Sequence, residues 1–301
     1  MSFKKILIVS GTHGNEINPI WAINQFNKEE NRIDEGIQYT YAIGNPLASE
    51  RGCRYVDVDL NRSFNSVNQN NDDKSRNYYE IKRANFLIEN FGENGSDPCG
   101  MAIDLHTTTA NMGTSIVIYG RRRKDLCLAA LIQNKYGLPI YLHENDKEQT
   151  GFLVEAWPCG LVIEIGAVAQ NFYDPEIIKR FLIIISSLRQ EINKLKNNLI
   201  KLPDQLIAYV HQGSIDYPKG KNKNINAIIH PRRINQDWKR IKKGDPLFLD
   251  MEGNTLRYEG EEIIYPVFIG EVAYKEKNIA MSFTKKEVIF LSNEWAEEFF
   301  N

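Results

Sequence analysis

The sequence predicts an α/β protein: a mixed sheet with helices on both faces, followed by a smaller, mainly β domain. Over the first two-thirds of the 301 residues, short apolar runs alternate with segments of helical periodicity. After Leu202-Pro203 the apolar segments become short, β-prone and separated by glycine-containing turns. We therefore expect one domain at residues 1–202 and a second at 203–301.

The first element pair illustrates the pattern. Residues 6–9 form an apolar run that ends at Ser10-Gly11, which is typical of a buried strand. Residues 18–26 carry Pro19 near their start and three apolar side chains on one stripe, which predicts a helix. The same criteria predict strands at 37–43, 101–106, 115–119, 139–142 and 161–165, and helices at 78–90, 125–136 and 174 to about 198. Residues 65–77, rich in Asn, Asp and Ser, are expected to form a long loop.

The C-terminal third has a different texture. Predicted strands lie at 206–210, 227–229, 247–249, 263–269 and 287–291. Turns such as Gly244-Asp245-Pro246 and Gly253-Asn254 separate them, which favours a compact β domain.

Composition and charge exclude several classes of protein. The 37 Lys and Arg residues nearly balance 39 Asp and Glu, so the net charge of -2 gives no overall attraction to nucleic acid or to an anionic membrane. The longest apolar runs are far shorter than a membrane span, and the first nine residues are too short for a secretory signal. The four cysteines lack CxxC spacing, which predicts free thiols in a reducing compartment. We expect a cytoplasmic protein with no nucleic-acid or membrane partner.

Two histidines follow predicted strands. His13 lies in Gly-Thr-His-Gly-Asn-Glu directly after the first strand, where a turn could bring His13 and Glu16 to one ion. His106 ends the strand that begins at residue 101. Together the three form a His, Glu, His set, which matches the ligand number of a catalytic zinc with room for water. Asp104 shares a strand face with His106 and could accept the proton of its imidazole, or could simply cap a loop.

Glu164 interrupts the otherwise apolar run 161–166. An unpaired carboxylate in a buried strand is costly, so Glu164 should coordinate, pair, or act as a base with a raised pKa. A structural ion pair is the alternative.

Arginines supply the positive side of the candidate site. Arg54 and Arg62 flank a strand-like segment and could hold a carboxylate and an oxyanion respectively, because guanidinium forks match carboxylates and stay charged at any working pH. The remaining histidines, His143, His211 and His230, lack ligand spacing and are expected to be structural or exposed. The basic runs 121–124 and 219–223 lack interleaved aromatic residues and are expected to be solvated loops.

Eight ordered motifs carry a resemblance to a known family. Four surround the candidate residues: Gly-Thr-His-Gly-Asn-Glu at 11–16, Arg-Tyr-Val-Asp-Val-Asp-Leu-Asn-Arg at 54–62, Asp-Leu-His-Thr-Thr-Thr-Ala-Asn-Met-Gly at 104–113 and Ile-Glu-Ile-Gly at 163–166. Four more lie at 227–231, 236–238, 244–248 and 265–268. The chain closely resembles the aspartoacylase/succinylglutamate desuccinylase family over nearly its whole length.

The resemblance implies a zinc carboxypeptidase-like fold and an amidohydrolase with one zinc per chain. The substrate would be an N-acyl amino acid, typically N-acetyl-L-aspartate, which is cleaved into acetate and L-aspartate. By that likeness His13, Glu16 and His106 bind zinc, and Glu164 activates water and then protonates the departing nitrogen. Arg54 would polarise the scissile carbonyl. The α-carboxylate would be bound by Asn61 and Arg62, and Tyr274 would reach the substrate from a C-terminal domain that covers the site.

One departure from the family bears on the substrate. Family members carry an arginine and a tyrosine shortly before the base, whereas residues 148–153 of this chain contain neither. An N-acyl neutral or aromatic amino acid is therefore an alternative substrate, unless one of Arg121, Arg122 or Arg123 supplies the missing cation.

Two other activities remain as alternatives. A peptide carboxypeptidase would need an open cleft, and a non-catalytic zinc-fold binding protein would need neither Glu164 nor Arg54. A homo-oligomer is left open.

Overall fold

The computed structural model describes residues 5–27, 33–34, 36–65, 77–146, 149–220, 222–292, 294–295 and 299. Within these residues the chain forms a mixed sheet of ten strands and a second sheet of three strands, which confirms the α/β class and the smaller C-terminal β part. The strands are β1 (Lys5–Ser10), β2 (Ile33–Asp34), β3 (Ile37–Ile43), β4 (Met101–Thr108), β5 (Thr114–Tyr119), β6 (Ile140–His143), β7 (Gly160–Gly166), β8 (Gln205–Asp216), β9 (Ala227–Ile229), β10 (Pro246–Asp250), β11 (Thr255–Arg257), β12 (Tyr265–Val267) and β13 (Ile279–Phe290). The α-helices are α1 (Ile17–Asn27), α2 (Pro46–Arg51), α3 (Tyr79–Phe91), α4 (Arg123–Tyr136) and α5 (Pro175–Lys196).

The large sheet has the order β12-β13-β8-β6-β5-β7-β4-β1-β3-β2. Its centre is mainly parallel, since β4 pairs in parallel with both β1 and β7, whereas β5 runs antiparallel to β7. Parallel neighbours bring their carboxyl ends to one edge, which is where α/β sheets build ligand sites.

Helices cover both faces of the sheet, as predicted. Alternate residues of β1 enter two different cores, with Ile6 and Ile8 packing beneath α1, α4 and α5, and Leu7 and Val9 packing beneath α3. Helix α5 begins where Asp174-Pro175 predicts, because the Asp174 side chain accepts hydrogen bonds from the backbone N–H groups of Glu176 and Ile177.

The C-terminal strands differ from the prediction in length and in partner. The predicted strand 206–210 is part of the twelve-residue strand β8, and the predicted strand 287–291 coincides with the end of the twelve-residue strand β13 except at residue 291. Both join the large sheet, where β8 pairs with β6 and β13 pairs with β8. The second half of β8, His-Gln-Gly-Ser-Ile-Asp, is too polar to show a strand pattern in the sequence. The strand predicted at 263–269 is shorter, at 265–267.

Two loop predictions have mixed outcomes. Residues 121–124 are not a loop throughout, because Arg123 and Lys124 begin α4. The predicted loop at 65–77 lies outside the described residues except at its two ends, as does residue 221 of the other basic run.

All four cysteines are free thiols. Within the part of the chain that the structure describes, no helix combines the length and apolar character needed to cross a bilayer.

Candidate metal centre and active site

The predicted catalytic residues meet at the carboxyl ends of three neighbouring strands. His13 and Glu16 follow β1, His106 lies near the end of β4, and Glu164 lies near the end of β7. The register of β4 and β7 pairs His106 directly with Glu164. Strand pairing alone therefore brings together residues that are more than fifty positions apart in the sequence.

His13, Glu16 and His106 form a buried cluster of possible metal ligands. Their donor atoms all lie within 4.8 Å of one another. The His13 Nδ1 atom is 2.6 Å from Glu16 Oε1, and His106 Nδ1 is 3.0 Å from Glu16 Oε2. Two imidazoles and one carboxylate are a donor set that suits zinc.

Each imidazole in the cluster has a carboxylate on its far nitrogen. His106 Nε2 is 2.7 Å from Asp104 Oδ2, and His13 Nε2 is 3.1 Å from Asp59 Oδ1. Asp104 is itself held by the Thr12 hydroxyl, which donates a 2.7 Å hydrogen bond. This arrangement fixes both rings with Nδ1 turned toward Glu16, as is typical of metal-binding histidines. The donor set and its outer carboxylates thus fit a zinc ion.

The charges of the cluster support one another. Burial opposes ionisation of Glu16, but the adjacent His13 and His106 imidazoles outweigh it and lower the pKa of that carboxyl. Burial also acts against a charged His106, yet Asp104 and Glu16 raise its pKa well above the usual range. A cation is therefore favoured at this position, and the carboxylate that would bind it is ionised.

Glu164 has the environment expected of a base. It is 8% exposed, and burial raises the pKa of its carboxyl well above the usual range, with His106 opposing and Glu16 and Glu271 reinforcing the shift. A carboxylate with a raised pKa is better able to take a proton from water. Glu164 lines the same cavity as the three possible ligands.

Arg54 lies on the opposite side of the cluster. Its Nη2 donates to Asp59 Oδ2 at 3.0 Å, and its Nη1 is 3.8 Å from Glu16 Oε1. Asp59 thus joins Arg54 to His13 and holds the guanidinium at the rim of the cavity.

Asn61 and Arg62 also line the cavity. The Asn61 side-chain oxygen accepts a 2.8 Å hydrogen bond from the Leu153 N–H, which leaves its NH₂ group for a ligand. The Arg62 guanidinium lies 4.0 Å above the centre of the Phe152 ring and donates to Gln149 Oε1 at 3.1 Å. Within the described residues Arg62 Nε is buried without a hydrogen-bond partner, so it is a donor that a ligand carboxylate could satisfy.

Tyr274 reaches the cavity from a short 3₁₀ helix at Val272–Lys277, in the C-terminal part of the chain. Sequence reasoning missed the residue that holds this helix, Glu271. Its Oε2 accepts from the Thr109 N–H at 2.8 Å and from the Thr108 hydroxyl, and its Oε1 accepts from the Ala273 N–H at 2.9 Å. The only sequence signal is that Glu271 lies three residues before Tyr274.

One side of the cavity is aromatic. Phe152 stacks on Tyr119 with ring centres 3.7 Å apart, and Tyr141 meets Phe268 at 5.8 Å. These four side chains, which we call the aromatic wall, come from β5, β6 and two loops. Their distant positions in the sequence concealed them.

His143 and His211, which were expected to be structural or exposed, lie close to the cavity and to each other. His143 lines the cavity, and it lies with His211 and Asp146 in a second group of possible metal ligands. Burial lowers the pKa of His143 to about 4, and that of His211 is lowered by the same cause.

The arginines at 121–123 do not supply a further cation to the cavity. Arg121 is paired with Glu144 and Glu287, and Arg122 with Asp125. Among the described residues that line the cavity, Arg54 and Arg62 are the only arginines, and none is a lysine.

A His, Glu, His cluster beside a buried carboxyl, at the strand edge of an α/β sheet, is typical of hydrolases that use a metal ion. Comparison with known families agrees: residues 2–192 match the succinylglutamate desuccinylase/aspartoacylase catalytic domain, and residues 204–286 match the AstE/AspA barrel-sandwich hybrid domain. The chain belongs to the succinylglutamate desuccinylase/aspartoacylase family and is a deacylase of that family.

Individual relatives support this assignment. A probable aspartoacylase of Prochlorococcus marinus subsp. pastoris is 73% identical over 301 residues, covering all of both chains. Another P. marinus probable aspartoacylase is 46% identical and covers 97% of this chain and 96% of its own. Murine aminoacylase 3 has a similar structure, with a TM-score of 0.85, 27% identity and coverage of 97% and 98% of the two chains. Succinylglutamate desuccinylase of Vibrio cholerae shares the fold, with a TM-score of 0.61, 16% identity and coverage of 95% and 85%.

Proposed function

We propose that this protein is a zinc-dependent hydrolase that removes the acyl group of N-acyl amino acids, with N-acetyl-L-aspartate as the first substrate. The observation that carries the proposal is that His13, Glu16 and His106 share one cavity with Glu164, Arg54 and Arg62. The name probable aspartoacylase of relatives up to 73% identical supports the substrate.

Zinc would be held by His13 Nδ1, the Glu16 carboxylate and His106 Nδ1. When bound, the ion supplies Lewis-acid polarisation of the acyl carbonyl and of the attacking water.

The residues of the chain would divide the remaining work. Glu164 takes a proton from water as the oxygen attacks the acyl carbon, and passes it to the amide nitrogen as the C–N bond breaks. The products are a carboxylic acid and an amine; the acid then gives its proton to the amine, so a carboxylate and an ammonium group are released and atoms and protons balance. Arg54 stabilises the negative charge that develops on the carbonyl oxygen. Arg62 and the Asn61 NH₂ group bind the α-carboxylate, and Tyr274 bounds the cavity from the C-terminal side.

A second candidate substrate is an N-acyl neutral or aromatic amino acid. The aromatic wall favours it, because a second substrate carboxylate finds no further arginine or lysine among the described lining residues. We propose that both substrate types are cleaved by the same residues.

Three features expected from the sequence are still predictions: a domain boundary at residue 202, a cytoplasmic location and a homo-oligomer.

Metal analysis combined with a substrate screen tests the proposal. Removing metal with a chelator should abolish release of free amine from N-acetyl amino acids, and Zn²⁺ should restore it. His13→Ala and His106→Ala should each prevent zinc binding at this cluster, because water cannot replace one of three protein ligands. His230→Ala, far from the cavity, is the matched control. Full activity of the chelated protein would contradict the metal assignment.

A further inference from the structure

A second group of possible metal ligands adjoins the cavity, which one of its members, His143, also lines. His143 ends β6, and His211 lies in the parallel neighbour β8, one position beyond the pair Leu142 and Val210. Their rings are 4.9 Å apart with an angle of 38° between planes. Asp146, in the loop after β6, faces both.

The distances between these side chains are longer than hydrogen bonds. His143 Nε2 is 3.6 Å and His211 Nε2 is 4.0 Å from Asp146 Oδ2, and one donor atom from each of the three lies within 4.8 Å of the others. Ligand atoms 2.0–2.1 Å from a tetrahedral ion lie about 3.4 Å apart. Shortening these distances by between about 0.2 and 1.4 Å, with the movement shared among the side chains, would therefore let all three bind one ion.

His143 carries a buried ring nitrogen that makes no hydrogen bond within the described residues. Its side chain is 7% exposed, and its Nε2 atom has no hydrogen-bond partner within the described residues. A polar atom that is buried and unpaired calls for a specific explanation, such as an ion.

A hydrogen bond with Tyr141 sets the orientation of the His211 ring. The Tyr141 hydroxyl is 2.8 Å from His211 Nδ1 and is also hydrogen-bonded to the Ser282 side chain. If the hydroxyl donates to Ser282, it accepts from His211 Nδ1–H, and the Nε2 lone pair then points to Asp146. A hydrogen bond on the far nitrogen is typical of metal-binding histidines.

An open groove leads to this group from the surface. Its described lining residues include three carboxylates, Glu144, Asp146 and Asp216, and a single lysine, Lys277. The excess of negative charge favours entry of a cation.

We propose that His143, Asp146 and His211 form a second metal site, for a divalent ion of the zinc class, separate from the cluster of His13, Glu16 and His106. Two imidazoles and a carboxylate suit Zn²⁺ better than Mg²⁺ or Ca²⁺, which prefer all-oxygen ligands.

This site is connected to the cavity. Asp146 Oδ2 accepts a 3.1 Å hydrogen bond from Gln149 Nε2, and Gln149 Oε1 accepts from Arg62 Nη2 at 3.1 Å. An ion bound to Asp146 would thus fix the position of Gln149 and, through it, that of the Arg62 guanidinium.

Zinc stoichiometry separates the two sites. Wild type should bind two Zn²⁺ per chain, whereas His13→Ala, His211→Ala and Asp146→Asn should each bind one and His13→Ala/His211→Ala none. His230→Ala should keep two. A second measurement uses the His13→Ala protein: Zn²⁺ at a hundredfold excess over its Kd should raise the Tm by about 4 °C, and His211→Ala in that background should remove the rise.

The outcomes distinguish this inference from the proposed function. A wild type that binds one Zn²⁺ and a His13→Ala variant that binds none would overturn the second site and leave the catalytic one intact. If His13→Ala still bound one and His211→Ala none, the second site would stand and the catalytic assignment would fail. Because Asp146→Asn changes little in size, it decides the matter should His211→Ala not fold. Anomalous diffraction at the zinc edge should show a second ion between these three side chains, in addition to the one at His13, Glu16 and His106; a zinc-loaded crystal with no anomalous density at His143, Asp146 and His211 would overturn the proposal.

Discussion

The cluster of His13, Glu16, His106 and Glu164, which we call the metal corner, differs from the aromatic wall in how it is built. Its residues come from the ends of three adjacent strands whose register fixes their separation. The aromatic wall instead joins β5 and β6 to two loops, one before β7 and one after β12. The corner therefore depends on backbone pairing, and the wall depends on side-chain packing.

The difference separates chemistry from selectivity. The His13 and His106 rings of the corner are buried and held by hydrogen bonds to Asp59 and Asp104, so small displacements are costly. The wall is made of stacked rings whose packing tolerates apolar exchange. Arg62 is a member of neither region, but it lines the cavity that both share and stacks on Phe152 of the aromatic wall. We expect corner substitutions to change kcat and wall substitutions to change KM and substrate preference.

Glu164→Gln should give the largest effect. The amide keeps the shape but cannot take a proton, so kcat should fall by about two to four orders of magnitude while zinc content is retained. Steady-state kinetics with metal analysis checks this. Glu252→Gln, in an exposed residue that does not line the cavity, is the control and should stay near wild type. A near-normal kcat for Glu164→Gln would return this residue to a structural role.

Arg54→Ala and Arg62→Ala compare an arginine beside Glu16 of the metal corner with an arginine that stacks on Phe152 of the aromatic wall. Loss of Arg54 should lower kcat by about two to three orders of magnitude, because charge on the carbonyl oxygen loses its partner. Loss of Arg62 should chiefly raise KM, since the α-carboxylate loses its fork. Arg62→Lys keeps the charge but loses the paired donors and the stacking, so its KM should lie between those of wild type and Arg62→Ala. Equal effects on kcat and KM in both alanine variants would remove the distinction between corner and wall.

Substrate preference should be weak. The proposed function assigns the two arginines among the described lining residues to the carbonyl and the α-carboxylate, which leaves no dedicated cation there for an aspartyl side chain. We expect N-acetyl-L-aspartate to be hydrolysed with a kcat/KM less than about a hundredfold above those of N-acetylated neutral amino acids. Parallel kinetics with N-acetyl-L-aspartate, N-acetyl-L-alanine and N-acetyl-L-phenylalanine measures this ratio. A preference of about ten-thousandfold for the aspartyl substrate would mean that another cation reaches the wall.

Asp237, which lies next to the aromatic wall, should make the free energy of unfolding depend on pH. It is 4% exposed and accepts a 3.0 Å hydrogen bond from the N–H of Ile269, next to Phe268 of the wall; burial raises its pKa to about 6 from 3.8. Between these two values the unfolded chain loses the proton while the folded chain keeps it, so stability falls as pH rises. Relative to Asp237→Asn, wild type should lose about 3 kcal/mol between pH 4 and pH 7.

Urea unfolding at several pH values measures this difference. The exposed Asp204→Asn variant is the control and should follow wild type at each pH. If Asp237→Asn and wild type kept a constant difference in the free energy of unfolding, the pKa of this carboxyl would be the same in the folded and unfolded chains, which would contradict the prediction.

The sequence by itself determined the metal corner. His13, Glu16, His106 and Glu164 each lie next to a strand pattern that is readable locally, and parallel strands end at a common edge whatever surrounds them. The resemblance to the family added Asn61 and Tyr274 and the β-rich C-terminal region. Periodicity also gave the central strands and α5 to within a few residues.

Only the tertiary structure decided what surrounds the corner. The joining of β8 and β13 to the large sheet, the aromatic wall, the support from Glu271 and the meeting of His143 with Asp146 and His211 all depend on contacts between distant segments. No local pattern marks such contacts, because the free energy that forms them comes from burial and packing against partners that the neighbouring sequence does not specify. Arg121 and Arg122 show the same limit: their residue type allowed a role in binding substrate, but Glu144, Glu287 and Asp125 hold them elsewhere.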